Sequence, residues 1–558
     1  SNRTFNFLCQ GRIIFYYESI IFYLIKDYHA PRIHYFINLE LNNFIRYNMA
    51  IDVVWFKRDL RTRDHAPLLS AILSGRPVLC LFMLEPERFK QMDTDPIHID
   101  WELDCAIDLS NTLRKSGSSL HFQVGDAIEI FENLNNEYGI ERILSHEETG
   151  NSWSYERDKK VSRWCETLEI KWIEYSNNGV VRKLKDRDFW KRERDARMRI
   201  PLNETPTFSE SILYEGDIPT MDELNLNPRT LVSRPIPGEV AALKRLQIFL
   251  DEDSRKYSWA ISSPVLSTKH GSVLSPYFTA GVLSLRRVVQ ETNLKIKYLR
   301  KNKLIIDDHS EWIQSLSSFR KRLAWRCHFI QKLEMEPNLD LVAQNPIIEK
   351  NLERKLDSEK FLRWKEGKTG WPFFDACMRQ LTSTGWINFR MRAMMMSAAS
   401  YNLWLPWRET GIFLAKQFLD YEPGIHWSQV GMQSGTTGIN TIRAYSMTKQ
   451  GRDHDPKGDY IRKWVPELSM VPTDFIHEPW KMPESLQEVI ICRIGVEYPE
   501  PIVNELVSRK NGVSKSYSAR TGDEARRISK KVLQVHGSRS RNRRNTKKKS
   551  SSVQQKLF

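Results

Sequence analysis

Several features that would classify a chain at once are missing here. Seven cysteines are spread over 558 residues with no CxxC pair and no close grouping. That excludes a zinc ribbon or an iron–sulfur cluster built on cysteine spacing, and the thiols read as reduced and intracellular. No apolar run reaches the roughly twenty residues of a spanning helix. The best stretch, Ile13 to Ile25, is broken by Glu18 and Ser19, so no membrane association is expected. No GxGxxG follows the first strand-like run, which excludes a dehydrogenase with the dinucleotide fingerprint. The body also lacks strong charge: of a net +15, twelve Lys and Arg lie beyond Glu524 with no acidic residue among them, leaving +3 on residues 1–524. A nucleic-acid site on the body must therefore be a local patch.

What is present is a foldable chain. Hydrophobic residues make up 41% and charged residues 27%, with 17 Trp, 19 Tyr and 25 Phe, which excludes disorder over most of the length. The length calls for two domains or one domain with a large helical body. Residues 1–48 contain twelve Phe and Tyr, lack a clear small-residue cleavage site and precede Met49. They are read as an extension outside the fold, of targeting type.

From Ile51, apolar runs at Ile51–Phe56, Val78–Leu84, Leu120–Val124, Arg142–Ser145 and Ile170–Tyr175 alternate with helical periodicity at His65–Leu73, Trp101–Lys115, Ala127–Asn136 and Trp153–Glu166. This alternation predicts a Rossmann-like α/β domain with a parallel sheet over 49–180. Residues 181–238, rich in Pro, Asn, Thr and Ser from Pro201 to Pro237, read as a linker. Residues 239–500 read as a large all-α domain, and ten of the seventeen Trp fall between Trp312 and Trp480. Residues 501–558 are expected to be a basic tail, too poor in apolar residues beyond Ala525 to fold.

Two segments carry possible chemistry. In Gly271–Tyr277 (GSVLSPY), Ser275 stands where a helix N-cap belongs and Pro276 at the first helical position; such a start, with small hydroxyls before it, is suited to phosphate. In Gly385–Arg392 (GWINFRMR) two arginines stand two apart, and Asp420 and Glu422 follow downstream. Arg392 with Asp420 is either a structural ion pair or a pair beside a bound heteroaromatic ring.

These segments, with Val54–Arg61 (VWFKRDLR), Ser272–Ser284 (SVLSPYFTAGVLS), Trp364–Pro372 (WKEGKTGWP), Asp375–Arg392 and Asp455–Leu468 (DPKGDYIRKWVPEL), resemble the DNA photolyase and cryptochrome family over about residues 50 to 500. The resemblance implies an antenna domain followed by a helical domain that buries FAD. It assigns Tyr257, Ser272, Leu274 and Ser275 to the flavin diphosphate and ribityl chain, and Arg390, Arg392, Asp420 and Glu422 to the ring systems, with Phe319 and Arg326 beside them. Trp325 matches the tryptophan that receives a flipped pyrimidine dimer, for which a π face is suited. Trp407 matches the middle of the tryptophan path that re-reduces the flavin.

Some positions depart from the family pattern. His426 falls beside the reactive flavin nitrogen, Arg322 replaces a carboxylate, and Phe389 replaces an active-site Asn. Val430 and Arg354 stand where two tryptophans of the path belong, with Trp427, Trp404 or Trp386 as substitutes. Trp153 and Ser154 occupy the folate-antenna positions, so a second chromophore would not be a pterin. The implied function is light-driven repair of pyrimidine dimers in DNA by electron transfer from reduced FAD, by a monomer in the cytoplasm or, in a eukaryote, the nucleus or an organelle. The alternatives are a cryptochrome-like photoreceptor and a helical nucleic-acid-binding protein without cofactor.

Overall fold

The computed structural model describes residues 50–537, apart from Pro206, Ser209 and Glu215. The expectations for residues 1–48 and for the end of the basic tail lie outside the described residues. Five strands, β1 (Ile51–Phe56), β2 (Val78–Leu84), β3 (Leu120–Val124), β4 (Ile140–His146) and β5 (Lys171–Tyr175), form one parallel sheet in the order β3-β2-β1-β4-β5. Every residue of β1 and β2 is buried, as strands covered on both faces require, and this is why they read as apolar runs, broken only by Asp52, whose carboxylate accepts from Arg142 Nε at 2.9 Å.

Alternate side chains feed two layers. Val53, Trp55, Leu79 and Leu81 pack with Phe131 of α3 (Ala127–Tyr138) and Val161 of α4 (Ser152–Thr167). Val54, Phe56, Cys80 and Phe82 pack with Leu109 of α2 (Pro96–Lys115) and continue into Leu246, Phe249 and Leu316 of the helical body. The two parts therefore share a core, each fully buried large side chain contributing about 1.5–3 kcal/mol. Helix α1 (Ala66–Ile72) crosses from β1 to β2. The strand order reverses direction between β1 and β4, and the crevice at their C-terminal ends is where open α/β sheets take ligands.

The helical body includes α6 (Glu239–Asp251), α7 (Leu285–Lys301), α8 (His309–Met335), α9 (Pro372–Thr384), α10 (Phe389–Ser397), α11 (Trp407–Gln417) and α12 (Pro423–Ser434). A Cβ on Gly424 would lie 2.6 Å from Ile330 Cα, so the glycine lets α12 lie directly against the backbone of α8. Trp364 and Trp371 are fully buried core residues. Among the described residues no helix is long and apolar enough to cross a membrane.

The structure corrects three expectations. The linker 181–238 contains α5 (Trp190–Arg197), whose Trp190 is buried and donates to Gly179 O at 2.9 Å. Ser275 is the first residue of a five-residue helix, Ser275–Thr279, and caps nothing; its hydroxyl accepts from Trp386 Nε1 at 3.2 Å. The tail is helical over α13 (Glu505–Ser518) and α14 (Asp523–His536). Ala525 and Val532 are buried, and Asn345 Nδ2 donates to Ala525 O at 2.9 Å. Few apolar residues suffice there because their spacing places them on one face against an existing body.

Four imidazoles are held neutral. Burial pushes His98, His146 and His328 down to about 3 and His426 to about 4. The unfolded chain takes these protons near pH 6.5 while the folded chain refuses them, so stability is full above 6.5 and falls as pH drops from there toward 3–4. Each group then costs about 2 kcal/mol by pH 5. Urea midpoints measured from pH 8 to 5 are expected to fall steeply below 6.5, and a flat profile would contradict the buried neutral state.

Candidate functional site

Helices α8, α10 and α12 and the loop Gly271–Ser275 enclose a cavity of about 270 Å³. Its walls are largely apolar: Phe319, Ile387, Met396, Leu414, Phe418 and Val430. Tyr257 and Phe319 enter as an aromatic cluster with Phe249, the Phe319 ring centre lying 5.5 Å from Tyr257 and 4.7 Å from Phe249. Burial pushes the Tyr257 phenol up, so it remains a neutral hydroxyl. Ser272 and Ser275 line the loop side, and Arg245 holds that loop by donating to Ser272 O and Gly271 O, each at 2.9 Å. Val273, between the two serines, sits at φ 48°, strain of about 1–3 kcal/mol for a β-branched residue, kept in the cavity wall.

The polar groups gather at the opposite end. Arg392 donates to Asp420 Oδ2 at 2.9 Å and to Ile387 O at 2.7 Å, and lies 4.1 Å over Phe418. Asp420 Oδ1 is buried and accepts nothing, and so is Asn388 Oδ1. Asn388 precedes α10 but does not cap it; its Nδ2 donates to Ile261 O at 2.9 Å. His426 Nε2 meets Gly411 O at 2.8 Å. A carbonyl only accepts, so Nε2 carries the proton of the neutral ring and Nδ1 is an acceptor. The Glu422 carboxylate, in contrast, is already held by Arg326 at 2.6 Å and by Arg58, from the loop after β1, at 3.3 Å. It joins the cavity to the crevice at the sheet's end.

The structure thus gathers Tyr257, Ser272, Ser275, Phe319, Arg326, Arg392, Asp420, Glu422 and His426 around one cavity. Leu274 is fully buried behind it. Arg390 and Trp325 line a second cavity of about 760 Å³ next door, which shares Arg322, Phe389, Ala393 and Gln429 with the first. Trp325 is 37% exposed, with Arg322 stacked 4.8 Å from its ring. Trp407 lies behind His426: its ring meets Trp427 at 6.0 Å, and Trp427 meets His426 at 4.9 Å. Neither Arg354 nor Val430 extends that chain, whereas Trp427 does. Sequence reasoning missed Arg58, Arg245 and Asn388; the available signal was weak, two adjacent cations after a buried strand in one case and a helix-start Asn in another.

In the crevice at the sheet's end, Asp59 Oδ2 accepts from His65 Nε2 at 2.8 Å and His146 Nδ1 at 2.7 Å. His65 Nδ1 itself accepts the Leu68 amide at 3.1 Å, so its Nε2 is protonated and has no lone pair for a metal. The cluster is a closed hydrogen-bond network.

Two family models match the chain, one described as DNA photolyase over residues 52–185 and one as the FAD binding domain of DNA photolyase over residues 319–517. The chain belongs to the DNA photolyase and cryptochrome family. It is 27% identical over 477 residues to a cryptochrome DASH of Gloeobacter violaceus, covering 81% of this chain and 93% of the relative. It is 26% identical to a deoxyribodipyrimidine photo-lyase of Alkalihalophilus pseudofirmus, covering 83% and 97%. A class III photolyase from Agrobacterium tumefaciens has the same fold at TM-score 0.73 and 23% identity, covering 85% of this chain and 98% of that one. An archaeal photolyase from Sulfolobus tokodaii, solved with two FAD molecules, matches at TM-score 0.66 and 23% identity, covering 84% and 100%.

FAD, the cofactor of this photolyase-family domain, suits the residues present. A flat ring with polar edges needs apolar walls and a few convergent donors and acceptors. The walls supply the first, and the orphaned oxygens of Asp420 and Asn388 supply buried acceptors that call for donors. Because Trp407, Trp427 and His426 form consecutive ring contacts ending at the cavity, Trp407→Phe is expected to slow blue-light photoreduction strongly, in the presence of a thiol, with FAD content unchanged. Photoreduction at the original rate in the variant would place the electron route elsewhere.

Proposed function

We propose that this protein is a light-driven enzyme that repairs pyrimidine dimers in DNA. The observation that carries the reading is the cavity beside the flavin site, where Trp325 presents a half-exposed π face and seven Lys and Arg stand against two Asp in the walls. A flipped base needs stacking to recover the cost of leaving the helix, and a phosphate backbone needs local cations. FAD supplies a light-excited electron donor one wall away. The protein's own residues do the rest: Trp325 stacks the lesion, Arg322 and Phe389 form the partition, and the apolar flavin cavity excludes water. A monomer suffices, since no second copy is needed to complete either cavity. The crevice of about 280 Å³ lined by Arg61, His146, Asn177 and Arg286 is our candidate site for a second chromophore of unknown identity.

One set of residues favours a cryptochrome-like photoreceptor instead. Arg322, Phe389 and neutral His426 change the partition and the flavin environment. The two readings part on one assay: chemically reduced protein under blue light is expected to restore a cyclobutane thymine dimer in single-stranded DNA. Protein that binds FAD and photoreduces, yet repairs neither cyclobutane nor (6-4) lesions in single or double strands, would be a photoreceptor.

A further inference from the structure

The inner wall of the Trp325 cavity contains an arrangement that stacking does not use. Lys332 stands on α8 seven residues after Trp325, two turns along the same helix face and about 10 Å along the axis. It is 3% exposed, and among the described residues its ammonium makes no hydrogen bond or ion pair; it lies 5.6 Å from the Phe329 ring. Buried ammonium groups without a counter-ion are costly and rare. The carboxylates nearby relieve it only in part: the Glu336 charge favours the ammonium without a hydrogen bond to it. Glu336 is taken by His536 at 2.7 Å and Gln344 at 2.9 Å, and Asp195 by Lys191 at 2.9 Å and Arg194 at 3.0 Å. Asp188 lies on the same wall with partners of its own.

Two further cations face the same space. Arg187 is fixed by a hydrogen bond to His328 Nδ1 and lies 4.2 Å over Trp190. Arg194 is 5% exposed, and its Nε and one terminal nitrogen are buried without an acceptor. Both come from the segment 181–238 that sequence reading treats as a linker. Burial and the nearby Arg187 push the Lys332 ammonium down to about 8, as expected for cations gathered ahead of an anion.

We propose that Lys332, Arg187 and Arg194 form a phosphoryl-binding subsite inside the Trp325 cavity. The inference rests on the reading that the cavity takes a base, and it adds where the phosphate goes. Trp325 and Lys332 line one cavity, so a nucleotide with its base on Trp325 would turn its phosphate toward Lys332. A phosphoryl group brings several acceptor oxygens and one charge as a diester or about two as a monoester, which matches one ammonium and the two Arg194 nitrogens that have no acceptor. The phosphate has two possible sources, a strand entering the cavity or a free nucleotide.

The test is binding in the dark with undamaged ligands, so that it does not depend on repair. Thymidine, thymidine 5′-monophosphate and a short oligothymidylate are titrated against holoprotein by calorimetry. Wild type is expected to bind the monophosphate at least tenfold more tightly than thymidine, and Lys332→Gln to erase most of that ratio while leaving thymidine unchanged. Arg194→Gln is expected to act in the same direction, and Lys160→Gln, exposed on α4 and outside the cavity, to leave the ratio as it is. FAD content reports the integrity of each variant. If Lys332→Gln weakens the oligonucleotide and lowers its log K against log salt slope by about 0.7, the strand phosphate is the source. If only the free monophosphate is affected, the site takes nucleotides. Equal binding of thymidine and its monophosphate by wild type, or an unchanged ratio in both variants, overturns the proposal.

Discussion

Replacing Trp325 with Ala is expected to remove most light-dependent repair of a thymine dimer in single-stranded DNA and to leave the flavin spectrum unchanged. Base–aromatic stacking is worth about 1–3 kcal/mol per base, a factor of roughly 5 to 150 in binding. Flipping costs a few kcal/mol that the pocket must recover. Trp325 lines the second cavity and not the flavin cavity, so truncating it leaves the flavin walls in place. Arg322 covers one face of the ring at 4.8 Å, so a lesion that stacks on that face must displace the guanidinium. Arg322→Ala is therefore expected to change lesion affinity far less than Trp325→Ala. The measurement is the repaired fraction per absorbed photon, starting from chemically reduced protein so that the tryptophan path is not tested at the same time. Undiminished repair in Trp325→Ala would mean that the lesion binds elsewhere.

The second large effect is on the cofactor itself. Arg392→Ala leaves Asp420 with neither oxygen partnered, because Oδ1 already accepts nothing within the protein. Stranding a buried charge costs about 3–5 kcal/mol, and the lower end applies since the Arg392 side chain is 23% exposed and Asp420 only 4%. That is roughly a hundredfold loss of FAD affinity. Asp420→Ala is expected to be milder, because Arg392 keeps the Ile387 carbonyl at 2.7 Å and some solvent. Asp420→Asn retains an acceptor and should be milder still. Removing Arg392 also takes away a cation that disfavours protonation of His426, although burial remains the main cause of its low pKa. Bound flavin per protein after gel filtration, and the dissociation constant from fluorescence, give the order. Equal flavin retention in Arg392→Ala and wild type would show that the pair is structural only.

The sheet was legible because its signal is local. Five apolar runs separated by helical periodicity correspond to five parallel strands, two of them buried on every residue; a buried parallel strand is apolar except where a charge such as Asp52 meets a partner, here Arg142. The family and most of the cavity lining were legible for another reason: spaced motifs mark residues that converge, and Tyr257, Ser272, Arg392 and Asp420 line one cavity. Three things depended on contacts between distant segments. A single face of Ala525 and Val532 makes a helix of a sequence that composition marks as unfoldable, since the body supplies the other half of the core. Trp427 takes the place beside Trp407 because α11 and α12 cross there, a matter of packing that no in-register comparison reveals. The charges that matter most, Arg58 paired with Glu422 and Lys332 buried on α8, depend on which groups meet and which lose solvent once the domains close. Sequence alone specifies which residues are charged; only the tertiary structure decides which of those charges remain uncompensated.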